Sequence, residues 1–280
     1  MKKFILILLI FFFVLISTLI FFFLFKNKHF GVFSPSVLLQ EREGRKWWFA
    51  TLYDEKKDFG IRIMFLFPSN KKTCWLEVLL FNSTNFTRFL KLYDSTHCFL
   101  SKNKTLAKIG KNWFFSKNDK WYFVLNLSSF SANLEIKGKN GFYLSLENTS
   151  IVIPLVNSTG KINLTFKTKE LKLEGISYLE FISTDEPNPS WIWGYFEDGK
   201  VSIMVVNARS NNKKASWIVI YDEKFYSYFN RGKISKNKQY LQVEVNGIKL
   251  QGIPLNDFIM KVKGEIFGKK FEGLGFYEFV

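Results

Sequence analysis

Apolar and polar side chains alternate along most of the chain after residue 37, as in strands that bury one face. Helical periodicity is weak in this region, and proline is scarce. We therefore predict an all-β fold of antiparallel strands, arranged as barrels or sandwiches. The clearest runs are Ile61, Ile63, Phe65 and Phe67; Trp121, Phe123, Leu125 and Leu127; Phe142, Leu144 and Leu146; and Ile162, Leu164 and Phe166.

The N-terminus has a different pattern, an almost unbroken apolar run from Phe4 to Phe25. As a helix this run would be about 33 Å long, enough to cross the hydrocarbon core of a bilayer. It is longer than the apolar region of a cleaved signal peptide, and no small-residue cleavage site follows it. The pattern predicts one transmembrane anchor at residues 4–25, with residues 1–3 in the cytoplasm and 26–37 as a linker.

Glycosylation motifs indicate which side of the membrane the remaining chain occupies. Basic residues flank the apolar run on both sides, so the positive-inside rule gives almost no indication of its orientation in the membrane. Seven Asn-X-Ser/Thr motifs favour an extracytoplasmic C-terminal part at the cell membrane, although an Asn-rich chain also creates such motifs by chance. The predicted acceptors are Asn82, Asn85, Asn103, Asn126, Asn148, Asn157 and Asn163.

An internal repeat predicts two related β-domains. The segment LEGISYLEF at residues 173–181 returns as FEGLGFYEF at residues 271–279. A Trp-rich strand at residues 47–53 likewise has a counterpart at residues 191–196. Two prolines interrupt strand pairing at residues 187 and 189. We place a glycosylated first domain at residues 38–184 and a second at 185–280.

Large aromatic side chains cluster around this boundary and are candidates for a binding site. Trp191 and Trp193 are two residues apart, so on a strand both indoles point to one side of the sheet. Such a pair builds either a solid core or an aromatic wall for a flat or elongated apolar ligand. The candidate ligand-binding residues are Trp47, Trp48, Tyr178, Trp191, Trp193 and Tyr195.

These motifs resemble the tandem lipocalin-like family that includes hydroxyneurosporene synthase, a carotenoid hydratase, and tocopherol cyclase. The resemblance covers roughly residues 38–280, and it implies two barrel-like halves that hold an isoprenoid-type ligand in or between them. In the hydratase branch an Asp/His-rich segment follows the Tyr-X-Glu position, whereas the corresponding residues 179–184 here contain no histidine. The matching positions are Trp47, Trp48, Tyr178, Glu180, Pro189, Trp191, Trp193 and residues 273–278.

Carboxylates are the main candidates for acid–base chemistry. The chain has only two histidines, so we expect no metal site and no cofactor. Glu180 is the candidate catalytic residue, since a Glu among aromatic side chains has a raised pKa and can protonate an alkene. It can equally satisfy backbone donors at a barrel end, as the repeat residue Glu278 suggests.

Cysteine content and charge add two expectations. Cys74 and Cys98 are the only cysteines, so a disulfide has one possible connectivity, with two buried thiols as the alternative. The net charge is +16, spread over many lysines. Spread lysines are typical of a solvated sheet face, but they also suit anionic lipid or an acidic cell-surface layer. An extracytoplasmic location excludes a nucleic-acid partner.

Three functions are compatible with these patterns. The first is a membrane-anchored module that binds a hydrophobic isoprenoid-type ligand such as a carotenoid, quinone or lipid. The second is an enzyme, a hydratase or cyclase that acts on such a ligand by proton donation from a carboxylate. The third is a structural or adhesive surface glycoprotein with solid barrels.

Overall fold

Antiparallel strands make up 79% of the described chain, in agreement with the predicted all-β class. The structure, a computed structural model, describes residues 30–34, 38, 44–69, 72–145, 149–166, 168–185, 190–210, 213–223, 225–229, 232–236 and 240–279. The predicted anchor at residues 4–25 lies outside these ranges. Within them, no helix has the length and apolarity needed to span a bilayer.

The first sheet contains twelve strands and forms a nearly closed barrel, in the order β5-β4-β3-β2-β12-β11-β10-β9-β8-β7-β6, with β1 also paired to β10. A 3-10 turn, Ser95–His97, follows β5. The strands are β1 Phe30–Val32, β2 Arg45–Asp54, β3 Phe59–Phe67, β4 Thr73–Phe81, β5 Phe86–Asp94, β6 Cys98–Leu100, β7 Leu106–Ile109, β8 Asn112–Lys117, β9 Lys120–Asn126, β10 Phe130–Ser145, β11 Thr149–Phe166 and β12 Lys169–Thr184.

The second sheet contains nine strands and forms a half-barrel, in the order β16-β15-β14-β13-β21-β20-β19-β18-β17. The sequence predicted barrel or sandwich domains in both halves, and only the first sheet comes close to closing. The strands are β13 Ser190–Glu197, β14 Val201–Ser210, β15 Lys213–Asp222, β16 Phe225–Phe229, β17 Lys233–Lys236, β18 Leu241–Val245, β19 Ile248–Pro254, β20 Ile259–Ile266 and β21 Lys269–Phe279.

Local sequence explains the connections between strands. The β8–β9 hairpin turns at Asn118 and Asp119, which both have positive φ, as a two-residue turn of this kind requires. At the two ends of the first sheet, β5 and β6 are connected through the 3-10 turn. A disulfide between Cys74 on β4 and Cys98 on β6 joins this region covalently, as the sequence allowed.

The repeat has a structural counterpart in both sheets. In the first sheet β2 pairs with β12, and Phe49 lies opposite Glu180. In the second sheet β13 pairs with β21, and Trp193 lies opposite Glu278. The Trp-rich strand of each half therefore lies beside the last strand of that half, and the repeated residues are paired in the same register.

Three groups of buried side chains form the core. One fills the interior of the first barrel, and one lies on the inner face of the second sheet. The third lies between the two sheets and contains residues of both, such as Tyr178 and Phe276, whose ring centroids are 6.5 Å apart. This third group holds the candidate site.

Candidate functional site

Five of the six predicted ligand-binding residues come together between the two sheets. Trp47 and Tyr178 contribute from the first sheet, and Trp193 and Tyr195 from the second. The ring of Tyr178 lies 4.9 Å from the rings of both Trp193 and Tyr195. Trp191, at the start of β13, packs on this group and is partly exposed.

Trp48 lies elsewhere, in the interior of the first barrel. It directly follows Trp47 on β2, so its side chain points to the opposite face of the sheet. Its indole N–H donates a hydrogen bond to the carbonyl of Lys104 at 2.8 Å, and its ring packs against Phe114 and Trp121. This fully buried position leaves Trp48 remote from the space between the sheets.

A partly enclosed cavity of about 60 Å³ lies between the sheets, where β11 and β13 begin and β12 ends. Its walls are almost entirely apolar, and Glu180 is their one carboxylic acid. A cavity of this size holds a few water molecules or a small apolar group. The lining residues are Trp47, Thr149, Ile151, Glu180, Ile182, Thr184, Trp191, Trp193, Met204, Val206, Ala208 and Trp217.

Glu180 is only 2% exposed and is held in place by its neighbour on the same strand face. The Tyr178 hydroxyl donates a hydrogen bond of 2.6 Å to Oε2, so Oε1 is the oxygen that can carry a proton. Burial raises the pKa of Glu180 to about 8, because the anion loses its water, although the Tyr178 hydrogen bond acts in the opposite direction. The acid is therefore mostly protonated at neutral pH.

A charged pair joins the two sheets near this acid. The guanidinium of Arg62 on β3 forms an ion pair with Glu278 on β21, and it lies over the ring of Phe49 at 4.6 Å. The other oxygen of Glu278 accepts a hydrogen bond of 3.0 Å from the Trp191 indole. The negative charge of Glu278 contributes to the raised pKa of Glu180. Glu278 thus orients a tryptophan of the cavity wall.

A second buried acid, Glu197, follows a tyrosine in the same Tyr-X-Glu arrangement. Tyr195 donates a hydrogen bond of 3.0 Å to Glu197, and the backbone N–H of Ser158 donates another of 3.2 Å. Burial raises the pKa of Glu197 to about 8 as well. Glu197 does not line the cavity, so the two acids have different surroundings.

The predicted glycosylation sites differ in their exposure. Asn85, Asn103, Asn126 and Asn163 are exposed, and Asn82 is partly buried. Asn157 lies between the sheets, and its amide nitrogen donates to the carbonyl of Lys200 at 2.8 Å. Asn148 lies outside the described residues, and occupancy of all seven sites stays a prediction.

The cavity also contains residues that the sequence reasoning missed. Trp217, Met204 and Val206 form its wall on the second sheet, and Arg62 connects the sheets beside it. The continuous apolar run at residues 217–221 was a usable signal for a buried strand that contains Trp217, but nothing local indicated which sheet face this residue joins. In the described part of the chain, no three His, Cys, Asp or Glu residues are grouped closely enough to hold a metal ion.

Comparisons with known proteins identify solved structures that have a similar fold. No family model matches the sequence, and no curated protein matches it. Among solved structures, kievitone hydratase from Nectria haematococca has a TM-score of 0.64 at 11% identity, over 91% of this chain and 94% of that one. A protein assigned to AttH from Nitrosomonas europaea has a TM-score of 0.62 at 13% identity, over 85% and 93%. The chain therefore shares the lipocalin-like fold of these proteins.

Proposed function

We propose that this protein is a membrane-anchored, extracytoplasmic, lipocalin-like protein whose cavity between the sheets binds a hydrophobic ligand of isoprenoid type. One observation carries the proposal: Trp47, Trp191, Trp193 and Trp217 surround a single apolar cavity. Tryptophan offers a large apolar surface and a polarisable face, which suit an unsaturated hydrocarbon. Pockets for small molecules commonly combine such walls with a few polar groups.

The size of the cavity limits how the ligand binds. About 60 Å³ suits one branched end of a molecule rather than a whole polyisoprenoid. The rest of the ligand would extend past the partly exposed Trp191 at the rim. The shared fold adds support, because kievitone hydratase is by its name an enzyme that hydrates kievitone.

Fluorescence and lipid analysis test the proposal on the full chain in detergent. Quinones and retinoids should quench tryptophan emission, and lipids extracted from protein purified from its native host should include a polyisoprenoid. Trp191→Ala should weaken binding about tenfold, since it removes apolar contact at a partly exposed site. Trp113→Ala, at an exposed tryptophan outside the cavity, is the matched control.

Two results would contradict the proposal. The absence of both quenching and a bound lipid would reject ligand binding and favour a structural or adhesive surface glycoprotein instead. An equal loss of affinity in Trp113→Ala and Trp191→Ala would show that the ligand binds outside the cavity.

A second candidate function is hydration or cyclisation of the bound ligand, and it is favoured by the protonated Glu180 in the cavity wall. Oε1 would give its proton to one alkene carbon, and the adjacent, more substituted carbon would become a cation. The indole faces would stabilise this cation. In hydration a water molecule then adds to the cation, and its extra proton returns to the Glu180 carboxylate. In cyclisation a hydroxyl group of the same ligand would add to the cation, and its proton would return to the Glu180 carboxylate.

Two variants separate catalysis from binding. Glu180→Gln should keep ligand affinity but abolish turnover, because an amide cannot donate the proton. Glu197→Gln changes a comparable buried acid outside the cavity and should keep turnover. Turnover should decline as the pH rises through about 8, where Glu180 loses its proton. Unchanged turnover in Glu180→Gln would remove this residue from the mechanism.

A further inference from the structure

One row of cross-strand neighbours on the outer face of the first sheet is apolar from end to end. It begins at Phe30 on β1 and ends at Leu92 on the edge strand β5. Residues paired in this way point to the same side of a sheet. Between the two ends lie Leu144, Ile151, Ile182, Trp47, Leu66 and Trp75.

The second sheet covers only part of this row. Ile151, Ile182 and Trp47 lie beneath it and line the tryptophan-walled cavity. Beyond the cover, Trp75 is 39% exposed and Leu92 is 61% exposed. An apolar surface therefore continues from the cavity wall to the edge of the sheet.

A neighbouring residue enlarges the uncovered part. Leu90 lies two positions before Leu92 on β5 and is 55% exposed on the same face. Scattered exposed apolar residues are common, but a group continuous with a buried seam indicates a contact surface. We call Trp75, Leu90 and Leu92 the edge patch.

The chain enters the fold at the end of the strands that carries this row, with Phe30 and Leu92 at opposite ends of the row. Phe30 starts the row, and its ring stacks on Tyr228 of the second sheet with centroids 5.2 Å apart. The predicted membrane span ends at Phe25, only five residues earlier. Five residues reach at most about 18 Å, so an anchored chain holds this end of the fold close to the bilayer.

Charge and residue type fit the same partner. The chain carries a net charge of +16, which attracts it to anionic headgroups. Tryptophan is enriched at the membrane–water interface, where its ring sits among headgroups. A bilayer surface therefore matches the edge patch better than a polar partner does.

We propose that the edge patch contacts the lipid bilayer and that the cavity opens toward the membrane. Thr149 and Thr184, which line the cavity, lie at the ends of β11 and β12 nearest to Phe30. The ligand would then be a molecule that resides in the bilayer and enters the cavity from it. This statement about the ligand rests on the proposed function, whereas lipid contact by the edge patch does not.

Photocrosslinking of the full chain in vesicles of phosphatidylcholine and phosphatidylglycerol tests the proposal. Leu92→p-benzoylphenylalanine and Trp75→p-benzoylphenylalanine should form lipid adducts on irradiation, measured by mass spectrometry. Phe267→p-benzoylphenylalanine is the matched control. Phe267 is 51% exposed and lies just before the start of β21. Glu278 lies near the other end of that strand. We expect adducts at positions 75 and 92 to exceed those at 267 several-fold.

Phe25→p-benzoylphenylalanine, in the predicted span, shows that lipid crosslinking works. With that signal present, no adduct at positions 75 and 92, or equal adducts at 75, 92 and 267, would overturn the proposal. Crosslinks between two protein chains from position 92 would also overturn it and assign the edge patch to a dimer. Ligand quenching in detergent needs no bilayer, so its failure rejects the proposed function without affecting the lipid result.

Discussion

Two buried acids, Glu180 and Glu197, each accept a hydrogen bond from the tyrosine two residues earlier, yet their other contacts differ. Glu197 also accepts the backbone N–H of Ser158, which ties the second sheet to β11 of the first. Glu180 has one oxygen bonded to Tyr178 and lines the cavity. Only Glu180 is therefore placed to meet a ligand.

Asn157 illustrates how a residue in a glycosylation motif acquires a structural role. Its positive φ of 45° places it at an irregular point of β11. Its backbone N–H donates to the Tyr195 hydroxyl at 2.9 Å, and its side chain donates to the Lys200 carbonyl at 2.8 Å. The nitrogen that would carry a glycan is thus hydrogen-bonded to the turn between β13 and β14, at an exposed edge of the contact between the sheets.

We expect Asn157 to stay unmodified in protein made by a glycosylating host. A glycan on this nitrogen would compete with its hydrogen bond to Lys200 and crowd the turn between β13 and β14. Exposed Asn103 and Asn163 lack this obstacle and serve as the comparison. Glycopeptide mapping measures the occupancy of each site, and a fully occupied Asn157 in folded protein would contradict this role.

At the scale of the strand, bulges decide which side chains enter the barrel. Along β10, Leu134 and Ile136 point into the barrel, whereas Phe142 and Leu144 point toward the second sheet. All four have even numbers, so regular alternation would place them on one face. An irregularity between Lys137 and Lys139 reverses the alternation.

Gly141 permits β10 and β11 to lie close together after this bulge. A Cβ at this position would lie 1.8 Å from the carbonyl oxygen of Ile153. Gly141→Ala should therefore lower the free energy of unfolding by about 1–3 kcal/mol, as overpacking typically does. Urea unfolding measures the change.

Lys139→Ala is the control, because this exposed side chain lies on the same strand beside the bulge. It should leave the urea midpoint nearly unchanged. Equal midpoints for Gly141→Ala and Lys139→Ala would show that the two strands can separate locally at little cost.

At the scale of the whole molecule, stability depends on packing between the sheets. Both raised-pKa acids lie there, so the folded protein binds more protons than the unfolded chain between pH 4.5 and about 8. The free energy of unfolding should therefore fall as the pH rises through this window. The slope from each group approaches about 1.4 kcal/mol per pH unit.

The double variant Glu180→Gln, Glu197→Gln tests this dependence, because amides of similar shape do not titrate. Denaturant midpoints at pH 5, 6.5 and 8 should decline more steeply for the natural chain than for the double variant. Parallel declines would mean that these two acids are not protonated in the folded state.

The sequence by itself determined the all-β class, the repeat of a Trp-rich strand and a later glycine-, aromatic- and Glu-containing strand in each half, and the possible pairing of Cys74 with Cys98. These features depend on local alternation, on repetition and on there being only two cysteines. The family resemblance placed Trp47 and Trp48 in one candidate site, whereas adjacent residues of a strand point to opposite faces. Only the tertiary structure decided that Trp47 meets the second sheet, that Trp48 fills the barrel and that Glu180 lines a cavity with Trp217. Bulges and contacts between residues distant in the chain set these outcomes, and neither leaves a local pattern in the sequence.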